Sequence, residues 1–156
     1  MKLANEVMAS KPDNEIVTTR IIREKRDRVF KAWSDPSILS RWWGPNGFTN
    51  TINQFEFQKG GAWKFVMQGP DGKDYPNHCE FVEISDDQFI SWNHLSNPNF
   101  QVAASFDDID DGYTKVTFKM VFLNPQDCNK IKAFVIGKNE ENLDRLENVL
   151  LSSEYY

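Results

Sequence analysis

Residues 35–48 read DPSILSRWWGPNGF, and the way this stretch starts and stops decides the fold. Asp35 is suited to accept a freed backbone N–H as an N-cap, and Pro36 fits the first helical position, where no intrahelical donor is lost. Gly44-Pro45 then ends the segment. The reading is a short helix, SILSRWW, set directly after another one. That first helix is DRVFKAWS (27–34), in which Val29, Phe30 and Trp33 share a face at helical spacing. Adjacent helical residues point about 100° apart, so Trp42 and Trp43 cannot face the same way. Either both rings are core anchors, or Trp42 lies deeper in the core and Trp43 nearer the mouth of a cavity. Leu39, three and four residues earlier, can neighbour either ring.

Outward from the two helices the pattern changes to strands. EIVTTRIIR (15–23) precedes them with alternating β-branched residues. Six further strands follow: NTINQFEFQ (50–58), AWKFVMQ (62–68), NHCEFVEI (77–84), QFISWNH (88–94), FQVAASFDDI (100–109) and YTKVTFKMVF (113–122). Turn signals separate them at Lys59-Gly60-Gly61, Asp71-Gly72, Asp86-Asp87 and Asp110-Asp111-Gly112. After Asn124-Pro125 a long helix is expected over 126–152. Its stripe is Ile131, Phe134, Val135, Leu143, Leu146, Val149 and Leu150, and Gly137 is placed to let it bend. This order predicts an α+β domain over 15–152, preceded by a flexible N-terminal arm, 1–14. A curved antiparallel sheet of about seven strands would carry two short helices and the long C-terminal helix. One helix cannot cover seven strands at close packing, so a cavity between helix and sheet is the natural by-product.

Composition narrows the function. The chain has 156 residues, 40% of them hydrophobic, with twelve Phe and five Trp, enough for a thick aromatic core or an apolar cavity wall. A net charge of −5 argues against a nucleic-acid partner. The one basic cluster, REKRDR (23–28), is broken by Glu24 and Asp27 and reads as a solvated strand-to-helix junction. Cys79 and Cys128 lack CxxC spacing and there are only two histidines, so neither a zinc site nor another cofactor is expected. The N-terminus has no apolar core of a signal peptide, and no stretch reaches membrane-spanning length. A cytoplasmic protein with reduced thiols and no membrane partner is the expectation.

The stretch VFKAWSDPSILSRWWGP (29–45) resembles the early signature of the domain found in the activator of heat-shock protein 90 ATPase (the AHSA1-like group). That group lies within the SRPBCC, START-like or birch-pollen-allergen-like superfamily. Val29, Phe30, Ala32, Trp33, Asp35, Pro36, Leu39, Trp42, Trp43, Gly44 and Pro45 carry the match. Gly60-Gly61 followed by Trp63 and Phe65 resembles a second run of the group, and GKNEENLDRLENVL (137–150) its helical ending. The resemblance implies a helix-grip fold, with either a pocket for an apolar ligand under the long helix or a co-chaperone role.

The candidate ligand wall joins Trp43, Phe55, Phe57, Trp63, Phe65 and Met67 to Phe81, Glu83, Phe118 and Met120, with Phe134 and Leu143 from the long helix. The methionines would supply adaptable surface. Glu83, if it faces inward, would be a carboxylate in an apolar site, able to act as acid or base. Tyr75 sits in the 69–76 loop as a surface phenol. His78 and His94 lie on the two arms of one hairpin, and register decides what they meet. Pairing Ile84 with Gln88 sets His78 against His94; pairing Ser85 with Gln88 puts them on opposite faces. Pairing Ile84 with Ile90 aligns Val82, Ile84, Ile90 and Trp92, and sets Glu80 against His94. This last register fits best, and Glu80–His94 then reads as a surface cross-strand pair. No GxSxG, phosphate loop or dinucleotide fingerprint is present, and Gly60-Gly61 is a hairpin turn. Three functions remain: binding of a small apolar or amphipathic ligand, a chaperone-interaction module, or a polyketide cyclase-like enzyme using Glu83, His78 or His94. Oligomeric state is not legible.

Overall fold

The computed structural model describes residues 3, 5–110 and 112–152. Its elements are β1 (Glu15–Ile22), α1 (Arg26–Ser34), α2 (Pro36–Trp42), β2 (Thr49–Phe55) and β3 (Ala62–Gln68). They continue as β4 (Asp74–Ser85), β5 (Phe89–His94), β6 (Phe100–Asp110), β7 (Tyr113–Val121) and α3 (Pro125–Leu151). The strands form one curved antiparallel sheet in the order β1-β7-β6-β5-β4-β3-β2. The result is the α+β helix-grip architecture with seven strands, two short helices and a long C-terminal helix.

Asp35 joins the two short helices as expected from its chemistry. It closes α1, and its carboxylate accepts from the Ser37 backbone N–H at 3.0 Å to open α2. Alternation along the strands sets the inner face. Ile16, Met120, Val102, Trp92 and Phe81 are successive register partners across five strands, and all are buried. Against them α3 buries Leu143, Leu146 and Leu150. At about 1.5–3 kcal/mol per buried side chain, these three leucines are the main attachment of the helix. Ion pairs hold it at the β1 edge, where Arg20 reaches Glu140, Asp144 and Glu147 at 2.8, 2.9 and 2.5 Å. Arg28 donates to the Leu150 carbonyl at 3.2 Å, a cation at the C-terminal end of the helix. On the outer face of the sheet, the Gln101 carboxamide is held by the backbone of the N-terminal arm, at Glu6 O and Met8 N.

Three local expectations need correction. Ile84 does pair with Ile90, but Val82 is an extra residue between Phe81 and Glu83, so from there on Cys79, not Glu80, opposes His94. The bulge has a packing cause. Phe81 and Ile84 are three apart, so plain alternation would turn one of them outward; the extra residue lets both face the core. Glu80 pairs with Asn93, and the Glu80–His94 pair does not form. Tyr75 is not in a loop: β4 begins at Asp74, and Tyr75 pairs with Met67. Pro76 is tolerated there because residues 74–78 pair with β3 on one side and have no β5 partner on the other. Finally, Phe134 is 70% exposed on the outer side of α3, where Lys138 lies over its ring.

Candidate functional site

A cavity of about 160 Å³ lies between the inner face of β3–β7, α3 and the loop that joins α2 to β2. Its apolar wall is built from Trp43, Phe65, Trp92, Val102, Phe118 and Met120, with Met67 and Phe100 beside them. Trp43 is the ring that connects the wall to the core. Its centroid is 5.5 Å from those of Trp42 and Trp63 and 5.6 Å from Trp92, and it stacks on Phe118 at 6.0 Å. Trp42 points the other way, fully buried, with its indole N–H donating to the Ala32 carbonyl at 2.9 Å. The adjacent tryptophans thus divide the work: Trp42 locks α2 onto α1, and half-buried Trp43 lines the cavity.

The loop that carries Trp43 is held by α3. The Asn142 side-chain oxygen accepts from the Gly44 N–H at 3.0 Å, and Glu141 accepts from Asn46 N–H at 3.0 Å. Arg145 donates to the carbonyls of Trp43, Gly44 and Pro45, and also to those of Arg41 and Phe48. Gly44 has φ +99°, and a Cβ there would come within 2.6 Å of the Met67 methyl. Glycine is therefore what lets the loop close over the cavity. A second glycine is forced at the turn before β3. A Cβ on Gly61 would lie 2.0 Å from the Glu56 carbonyl oxygen, in a turn that bonds back to the Phe81 backbone.

The polar lining comes from Asn77, His94, Asn139 and Asn142. His94 is 9% exposed and stacked on Phe100 at 4.6 Å. Its Nδ1 lies 2.9 Å from the Pro98 carbonyl, which can only accept, so Nδ1 carries a proton. Nε2 lies 2.7 Å from Asn77 Oδ1, while Asn77 Nδ2 donates to the Tyr75 carbonyl at 2.8 Å. With the amide in that orientation Nε2 must also donate, which requires the imidazolium. The neutral ring requires Asn77 to turn over and release Tyr75. Burial favours the neutral ring and holds His94 below the ordinary histidine range, against the raising effect of the Pro98 and Ser96 backbone bonds. The Cys79 thiol, also in the wall, is pushed well up by burial and stays protonated and unreactive.

Of the residues singled out from the sequence, Trp43, Phe65, Met67, Phe118 and Met120 meet at the cavity. Phe55, Phe57, Trp63 and Phe81 form an adjoining aromatic cluster instead, with Phe55 and Phe57 stacked at 5.8 Å and Trp63 on Phe65 at 4.4 Å. Leu143 is core, and Phe134 and Glu83 face solvent. His78 and Tyr75 are exposed as well. An enzyme reading required Glu83, His78 or His94 to enter the cavity. Only His94 does, and both of its nitrogens are engaged by protein oxygens. The residues missed were Asn77, Cys79, Trp92, Phe100 and Val102 on the sheet, Gly44 and Pro45 in the loop, and Asn139 and Asn142 on α3. The last two had a signal: 139, 142, 143 and 146 are spaced as one helical face, so two asparagines share the face of two core leucines.

A larger hollow of about 500 Å³ lies among Lys25, Arg26, Asp87, Asp108 and Asp110. It is a charged surface cleft at the strand-to-helix junction, with Arg26 and Asp108 3.5 Å apart. The smaller cavity is the candidate site because its walls are aromatic and its polar groups buried. Among the described residues, no group of His, Cys, Asp and Glu is placed to hold a metal ion. Among the described residues no helix is long and apolar enough to cross a membrane.

The family model of the Activator of Hsp90 ATPase homolog 1-like proteins matches residues 23–150. Solved structures agree on the fold. A crystal structure of a Nitrosomonas europaea protein is similar with a TM-score of 0.83 at 18% identity, over 94% of this chain and 100% of that one. A solution structure from Arthrobacter aurescens gives 0.82 at 20% identity, over 92% and 91%. An AHSA1 protein of Silicibacter pomeroyi gives 0.73 at 17% identity, over 87% and 96%. Among curated proteins no sequence match is found.

Proposed function

The chain belongs to the Activator of Hsp90 ATPase homolog 1-like family, and from that premise we propose that it is a binding protein for a small apolar or amphipathic molecule held in the cavity under α3. The observation that carries this reading is the cavity itself, about 160 Å³ walled by aromatic rings that converge from β3, β5, β7 and the Trp43 loop. An apolar cavity of this size is left without contacts on one side of its lining, and an apolar guest restores them. The proposed setting is the cytoplasm, where the buried free thiols of Cys79 and Cys128 stay reduced.

Ligand binding to the folded state alone raises stability by mass action. At about 100 times its Kd a ligand adds about 2.7 kcal/mol, roughly 5–10 °C in Tm for a chain of this length. A thermal-unfolding screen against small hydrophobic compounds, followed by tryptophan fluorescence titration, is expected to give saturable hits that perturb Trp43. No shift in Tm and no fluorescence change at the solubility limit of every compound would overturn the reading.

The family name and exposed Phe134 and Ile136 on α3 favour a second reading, docking to a chaperone. Purified heat-shock protein 90 of the source cell should then bind the wild-type chain and lose binding with Phe134→Ser. If it binds neither, the second reading is dropped.

A further inference from the structure

Of the four polar side chains that line the cavity, Asn77 and His94 are bonded to each other, and the two carboxamides on α3 are the ones left with free capacity. Asn139 and Asn142 stand one turn apart on α3, 7% and 5% exposed, and both line the cavity. A buried carboxamide has two donors and one acceptor oxygen to satisfy. Asn142 uses its oxygen on the Gly44 N–H at 3.0 Å, and among the described residues its NH₂ has no partner. Asn139 does worse. Its NH₂ meets only the Met120 thioether at 3.4 Å, a weak acceptor, and its oxygen has no partner among the described residues. Asn139 Oδ1 and Asn142 Nδ2 are not among the sealed atoms without a partner, and because both residues line the cavity these free polar atoms are open to a guest there.

We infer that Asn139 and Asn142 are the recognition element of the site, and that they read a single group able both to donate and to accept, a hydroxyl, on a neutral one-ring compound. This rests on the ligand-binding reading and sharpens it in three respects. Size is the first: a cavity near 150 Å³ accommodates benzene, and about 160 Å³ leaves room for one ring and a small substituent. Charge is the second. No Lys, Arg, Asp or Glu lines the cavity among the described residues, and the one titratable nitrogen pair there, on His94, is already engaged by Pro98 and Asn77 oxygens and favoured neutral by burial, so an ionised ligand would find no free partner of opposite sign. Direction is the third. A hydroxyl donates to Asn139 Oδ1 while accepting from the amide NH₂ groups, and its ring then lies among the aromatic residues that line the cavity.

The test uses the full chain and three probes of equal ring size: phenol, toluene and benzoate, titrated calorimetrically or by tryptophan fluorescence. Phenol is expected to bind about two- to tenfold more tightly than toluene, the range for one net hydrogen bond. Benzoate should bind more weakly than phenol. Asn139→Leu is expected to erase the preference by weakening phenol and leaving toluene unchanged or tighter. Asn139→Ala serves the same purpose if the leucine is not accommodated, since it removes the amide without adding bulk. If none of the probes nor any larger hydrophobe binds, the ligand-binding reading itself fails. If toluene binds as well as phenol, or the preference survives in both variants, the carboxamides are not the recognition element although the cavity is a binding site. If benzoate is the tightest of the three, the inference of a neutral ligand is overturned.

Discussion

Arg145 on α3 donates to the carbonyl of Gly44 at 2.9 Å, so the helical ending of the chain grips the loop that follows the double tryptophan. The same guanidinium serves four other carbonyls, at residues 41, 43, 45 and 48. All its acceptors are backbone oxygens, and two of them, at Arg41 and Trp43, are carbonyls at the C-terminal end of α2, where a cation is favoured. Two of the three stretches that carry the family resemblance, 29–45 and 137–150, are therefore in direct contact.

Removing this grip should loosen the cavity wall before it unfolds the domain. Arg145→Met is expected to cost about 2–4 kcal/mol, because hydrogen bonds to a charged group contribute about 1.5–3 kcal/mol each and water replaces some of them at this half-buried site. Lysine is not a substitute, since one ammonium cannot span the five oxygens. Gly44→Ala should cost about 1–3 kcal/mol through its positive φ. Urea unfolding of both variants measures this. A loss below about 0.5 kcal/mol, the usual scatter for inert surface sites, would mean the loop is held by Trp43 packing alone.

Burial gives His94 a signature in pH. Its folded-state pKa lies below the unfolded value of about 6.5. Between the two values the unfolded chain binds more protons, so stability rises with pH there. On acidification from pH 7.5 the unfolding free energy should begin to fall near pH 6.5 and level off below the folded-state pKa. His94→Gln should remove this slope, since the other histidine, His78, is exposed. Nitrogen-15 spectra should show the proton of the neutral ring on Nδ1, bonded to Pro98, and protonation should move the Asn77 amide signals with it. Identical pH slopes in wild type and variant would assign the effect elsewhere.

What could be read from the sequence was what local chemistry determines. Asp35-Pro36 and Gly44-Pro45 set helix ends by their own capping and φ preferences, and alternation put Trp63, Phe65, Phe118 and Met120 on the inner face. The Val82 bulge was not local. It exists because Phe81 and Ile84 both pack on the core side, a demand that arises only once Trp92 and Ile90 stand opposite them. Asn139 and Asn142 escaped for a different reason: a search for the apolar stripe of α3 skips polar residues, and so selected Phe134 on the solvent side while passing over the cavity wall. His94 was underrated because its partners, Asn77 and Pro98, are set by the bulged register and the following loop.

Glu83 offers a clean control. It is exposed on the face opposite the cavity, so Glu83→Gln should leave ligand binding unchanged and stability within about 0.5 kcal/mol. A loss of binding in this variant would mean that the hairpin β4–β5 adopts another register in solution.

Trp43 should set the size of what the cavity accepts. It stacks on Phe118 and meets Trp33, Trp42, Trp63 and Trp92 edge-on, so truncation to alanine would threaten the core as well as the site. Trp43→Phe keeps an aromatic ring and removes the smaller fused one, at an expected cost of about 1–3 kcal/mol. The space released adjoins the existing cavity, because Trp43 lines it. The variant is therefore expected to bind two-ring compounds such as 2-naphthol that wild type excludes, and to bind phenol more weakly because part of its contact area is lost. Calorimetric titration of both proteins with phenol and 2-naphthol decides it. If wild type and Trp43→Phe rank the two compounds alike, Trp43 is a core anchor that does not gate the site.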